Sequence, residues 1–94
     1  MGNRRWLKRK VNVVVNNIVE ECYNVQIYNQ SKENETNKII DETVALFDNL
    51  LDRIHSVKRI GDKKEKKKEY ASINSELEKT GLQLLDKIEK VASA

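Results

Sequence analysis

The run "VNVVV", Val11 to Val15, sets four β-branched residues around one asparagine. Read alone, it is a β-strand. Its flanks decide otherwise. Leu7, Val11, Val14, Ile18, Cys22 and Val25 recur at steps of three or four, with Val15 and Val19 beside them. At 100° per residue these positions fall on one narrow stripe that lasts about five turns. A strand has no reason to keep that period through polar neighbours, so the spacing predicts a helix that fades at the polar cluster Asn29, Gln30 and Ser31.

Beyond the cluster the pattern resumes. Ile40, Val44, Phe47, Leu51 and Ile54 form a second 4-3-4-3 stripe, widened by Ile39, Thr43, Leu46, Leu50 and Val57. This is the broadest apolar face and the one expected to be most buried. Glu33, Glu35, Asp41 and Glu42 place negative charge in its N-terminal half, where the helix dipole favours it. Ser31 and Thr36 are both usable N-caps. A third stripe reads Tyr70, Ile73, Leu77, Leu84, Ile88 and Val91, flanked by Leu85 and Ala92, with Gly81 on the same line. Glycine there costs about 1 kcal/mol against alanine, and close packing against a ring such as Phe47 or a neighbouring helix backbone is the expected reason.

Between the second and third stripes lies "IGDKKEKKKEY", Ile60 to Tyr70. Gly61 suits the left-handed position that ends a helix. Asp62 suits the next N-cap, with Glu65 three residues on to bond back to it. The lysine run therefore reads as the first turns of a helix, not as a tether.

These segments predict one domain over 1–94, with helices at about 4–30, 34–60 and 63–92. Short connections make neighbours antiparallel. The expected fold is an all-α, up-down-up antiparallel three-helix bundle with coiled-coil-like packing. Its alternative is a long helical hairpin completed by dimerisation. Composition agrees: there is no proline, only three glycines, and 35% charged against 38% hydrophobic residues, a balance that suits long amphipathic helices.

Few catalytic classes have support. The single histidine, His55, lies at the edge of the second apolar face. The single cysteine, Cys22, sits within the first stripe, where it behaves as a small hydrophobe and excludes an internal disulfide. No His or Cys cluster has metal-ligand spacing, and no glycine-rich phosphate loop is present. The reading expects no enzyme, no cofactor, no metal and no small-molecule substrate. A basic start without an apolar core segment is not a secretory signal, and no run approaches a membrane span. A cytoplasmic home follows as the expectation, and the abundance of Asn and Lys suggests an AT-rich bacterial genome.

Charge is unevenly placed, although the net value is only +3. Arg4, Arg5, Lys8, Arg9 and Lys10 open the chain, and Lys58, Arg59, Lys63, Lys64, Lys66, Lys67 and Lys68 surround the second turn. An up-down-up bundle brings both runs to one pole and leaves Glu20, Glu21, Glu33, Glu35, Asp41 and Glu42 at the other. That basic pole is a candidate anion-binding surface. Trp6, Val13, Tyr23 and Ile27 fall off the first stripe and form a candidate partner face. The leading expectation is a non-enzymatic protein–protein interaction or self-association module. The alternative is a nucleic-acid-binding accessory protein that uses the basic pole.

Overall fold

The valine run is helical. A computed structural model describes residues 3–93; residues 1, 2 and 94, at the limits of the expected domain, lie outside the described residues. Helix α1 spans Asn3–Tyr28 without a break through the valines. Val11 and Val15 are buried and Val14 half-buried, whereas Val13 is 52% exposed. The inward row is thus Leu7, Val11, Val15, Ile18 and Cys22. Val15 takes the central place expected for Val14, which is displaced toward the third helix.

Neither Ser31 nor Thr36 caps the second helix. Asn29 begins a 3-10 turn at Gln30–Lys32, its carboxamide oxygen accepting from the Ser31 amide at 3.2 Å and the Ser31 hydroxyl at 2.6 Å. Helix α2 then runs Glu33–Ser56, with Glu33 and Glu35 in its first turn. Thr36 lies inside α2 and is fully buried. Its hydroxyl faces the Lys32 carbonyl at 2.9 Å and accepts from Gln26 Nε2 at 2.7 Å. The same Gln26 amide reaches Asn37 Oδ1 at 2.9 Å, so the first corner is held by polar side chains.

The buried row of α2 also differs from the expected one. Thr36, Ile39, Thr43, Leu50 and Ile54 are buried, whereas Ile40, Phe47 and Leu51 are half-buried and Val44 is 47% exposed. The reason is that α2 serves two neighbours at once. Glu42 pairs with Lys87 at 2.9 Å, and Arg53 reaches Glu69 at 2.9 Å and also Glu76, which fixes one flank of α2 against the third helix. Packing of Ile39 with Ile18 and Cys22, and of Leu50 and Ile54 with Leu7, Val11 and Ile73, turns the 40/44/47/51 row toward the rim. Burying Thr43 costs little, because its hydroxyl donates to the Ile39 carbonyl at 2.7 Å.

Gly61 does not take the left-handed conformation, since no described glycine has positive φ. Instead α2 tightens into a 3-10 turn at Val57–Arg59, and Ile60 leaves it extended (φ −79°, ψ 121°) while its amide bonds the Val57 carbonyl at 3.0 Å. Val57 is buried and Ile60 packs on the same cluster, so apolar anchoring sets the exit angle. Asp62 does cap the next helix: its carboxylate accepts from the Lys64 amide at 3.0 Å. The reciprocal arm from Glu65 does not form, and Glu65 instead lies 3.9 Å from Lys68 Nζ.

Helix α3 spans Lys63–Ser93 and returns parallel to α1, which gives the up-down-up three-helix bundle. All three helices pack on one another along a rod of 50 × 19 × 16 Å. So thin a molecule has a core one side chain deep, divided into two clusters. Leu7, Val11, Val15, Leu50, Ile54, Val57, Ile73 and Leu77 fill one end, and Ile18, Cys22, Ile39, Leu84 and Ile88 the other. Val14 and Leu46 flank both clusters and mark the waist between them.

Gly81 faces that waist. A Cβ at Gly81 lies only 3.1 Å from Val14 Cγ1, so the close-packing reason holds, but the neighbour is a valine of α1 and not Phe47. Two outcomes follow. Gly81→Ala should stabilise the fold by about 1 kcal/mol in a Val14→Ala background and by clearly less in the parent, a coupling that a double-mutant cycle in denaturant measures; strict additivity would deny the contact. At Gly61, where an added Cβ meets nothing within 4 Å, Gly61→Ala should raise stability by about 0.4–1 kcal/mol, and a loss of that size would restore the left-handed assignment.

Candidate functional site

Helix α1 is anchored at its start by Leu7, which shares a cluster with Val57, Ile60 and Tyr70. The two basic runs therefore meet at one end of the rod. Trp6 of α1 and Lys67 of α3 line a single cavity, which places the runs side by side.

Most of the cations at this pole are unneutralised. Among the described residues, Arg4, Arg5, Lys8, Arg9, Lys58, Arg59, Lys63, Lys64, Lys66 and Lys67 make no ion pair. Lys8, Lys66 and Arg4 are half-buried and the others exposed. Arg4 Nε is buried without a hydrogen-bond partner. Lys10 behaves differently. It leaves the pole for the α1–α3 seam, where Nζ donates to Glu78 at 2.5 Å and to Asn74 Oδ1 at 2.6 Å. Its ammonium also lies 5.2 Å from the centroid of the Trp6 ring, within cation–π range. Lys68 is held loosely by Glu65.

Helix direction adds to this field. In an up-down-up bundle α1 and α3 are parallel, so both of their N-termini sit at the basic pole. The starts of α1 and α3 each carry about half a positive charge, and the C-terminal end of α2 at the same pole about half a negative one, which Lys58 and Arg59 complement. The first turn of α1 has no acidic residue, and that of α3 has only Glu65. Lysine and arginine at such ends each cost roughly 0.3–1 kcal/mol. Local stability does not select them there.

Trp6, Val13, Tyr23 and Ile27 are all more than half exposed. The face they share is not purely apolar. Arg9, Asn16, Glu20 and Asn24, all exposed, interleave them along α1. Trp6 also leans to the α3 side, where a cavity of about 200 Å³ is lined by Trp6, Leu7, Lys67, Tyr70, Ala71 and Asn74. A second, wider concavity of about 790 Å³ is lined by Arg4, Arg5, Trp6, Lys8 and Arg9. Trp6 is the wall between the two. Sequence periodicity placed Tyr70 in the core and left Asn74 without a role. Their convergence with Trp6 depends on the axial alignment of α1 and α3, which no local spacing encodes.

Cys22 is fully buried among apolar side chains. Burial, with a smaller contribution from the neighbouring Glu21 carboxylate, pushes its thiol from 9.0 up to about 11. It is protonated and unreactive at neutral pH. His55 is exposed on α2. Among the described residues, no three His, Cys, Asp or Glu side chains gather as metal ligands, and no helix is long and apolar enough to cross a membrane.

Compared with protein-family models, curated proteins and solved structures, the chain matches none.

Proposed function

We propose that this is a small nucleic-acid-binding protein that acts by binding, not by catalysis, with the basic pole as its binding surface. One arrangement carries this: unpaired lysines and arginines from two distant stretches meet at two parallel helix N-termini. Such an end is electrostatically unfavourable alone and is relieved by a polyanion. A second copy of the chain is a poorer partner for it. The acidic pole already contains Lys32, Lys38, Lys87 and Lys90, and Glu42 and Asp86 there are paired internally. The lone protonated thiol suits a reducing compartment such as the cytoplasm.

Self-association or docking of a partner helix through Val13, Tyr23 and Ile27 is the second reading, supported by their exposure on α1. The charged and amide residues between them disfavour it.

A labelled oligonucleotide should bind at low salt. If about six phosphates are neutralised, affinity should fall roughly 10³-fold between about 50 and 200 mM salt. Joint replacement of Lys63, Lys64, Lys66 and Lys67 by Glu should abolish binding. Glutamate suits a helix N-terminus, so the variant should melt no lower than the parent, which separates lost binding from lost folding. Absence of binding at the lowest salt rules the assignment out. Concentration-dependent sedimentation that Val13→Glu with Ile27→Glu eliminates would transfer the role to the α1 face.

A further inference from the structure

The position of Trp6 narrows the class of nucleic acid. We infer that the basic pole takes a single strand, with a base stacked on Trp6 and the flanking phosphates held on either side of it. This rests on the nucleic-acid reading above and goes beyond it.

The single tryptophan of the chain lies not on a bare apolar patch but between two cation-bearing concavities. Arg5 and Arg9 line one and Lys67 lines the other. A strand that crosses from the first to the second passes over the indole and meets cations both before and after it. Trp6 is 56% exposed. Lys10, fixed by Glu78 and Asn74, stands over the ring and limits its freedom to reorient. A ring held in place loses less entropy on stacking than a free one. The α3-side cavity, about 200 Å³, is below the ~300–1,000 Å³ of sites that enclose a small molecule. It is a ledge for a flat ring. Stacking of this kind tolerates any base, because every base has a π-face.

A duplex does not satisfy the same geometry. Reading a duplex requires one helix or a ribbon in a major groove about 12 Å wide. The pole is the blunt end of three helices, on a rod 19 × 16 Å in section. It can touch duplex phosphates from outside, but the paired bases stay out of reach of Trp6. An anionic membrane would also attract these cations, but Trp6 is the one exposed large apolar side chain lining the two cavities, Leu7 being buried in the core, which leaves little apolar area to insert.

Trp6 emission tests this, because no other tryptophan contributes. The full chain is titrated at low salt with an oligothymidine of about 16 nucleotides, with a duplex of the same length and with anionic phospholipid vesicles. The single strand should quench Trp6. The duplex should bind by anisotropy without quenching. Trp6→Ala should weaken single-strand binding by about 5- to 150-fold and leave duplex affinity unchanged within about twofold, while Trp6→Phe should retain most of the single-strand affinity. Matching helical content and melting of the variants by circular dichroism exclude unfolding as the cause. Equal binding of strand and duplex with unchanged emission overturns the stacking inference and leaves the nucleic-acid reading intact. Failure to bind either nucleic acid overturns both, as does a blue-shifted response to vesicles alone.

Discussion

Helices α1 and α3 lie close together at the waist, where Gly81 faces Val14. A methyl group placed at position 81 would meet Val14 Cγ1 at 3.1 Å, tighter than ordinary packing. The missing side chain lets two parallel helices run close at the waist, where the two apolar clusters meet. From there the register is set in both directions. One way, Lys10 reaches Asn74 and Glu78, and Trp6 reaches the Lys67 and Tyr70 turn. The other way, Ile18 and Cys22 pack with Leu84 and Ile88. A change of spacing at position 81 would shift Trp6, 75 residues away in sequence yet only about two turns along α1 from Val14.

The same alignment concentrates charge. Helices that pack up-down-up must place two N-termini and one C-terminus at one end, so the basic pole combines side-chain cations with a net positive dipole end. The structure neutralises charge selectively. Arg53 holds Glu69 and Glu76 across the α2–α3 seam, Lys87 holds Glu42, and Lys10 holds Glu78. These bridges lie along the sides of the rod and stitch helix to helix. At the pole, Asp62 is committed to capping α3 and Glu65 to Lys68. Surface ion pairs contribute little stability each, so the uneven distribution speaks more to the external field than to folding.

Particular residues show where sequence reading stopped. The 3–4 spacing identified the inward rows of α1 and α3 nearly residue by residue, because each presents one narrow stripe. On α2 the apolar residues span two adjacent rows. Which row faces inward depends on how Ile39, Leu50 and Ile54 pack with α1 and α3, and that is a tertiary fact. The turns depart from their local capping signals for a related reason. Asn29, Ser31 and Thr36 all have capping chemistry, and Gln26 reaching across the corner decided that Thr36 would be buried. Gly61 has the freedom for a left-handed stop, but the anchoring of Val57 and Ile60 made that conformation unnecessary.

By itself, the sequence determined the helices, their number, the Asp62 boundary, the burial of Cys22 and the meeting of two basic runs at one pole. Each follows from periodicity, capping chemistry and chain direction, which act over a few residues. Tertiary structure alone decided that Lys10 leaves the pole for the α1–α3 seam and that Trp6 stands between two basic concavities. Those outcomes depend on the axial offset and rotation of one helix against another. Such quantities are set by the summed packing of side chains from distant segments, including Gly81 facing Val14 at the waist, and no local pattern carries them.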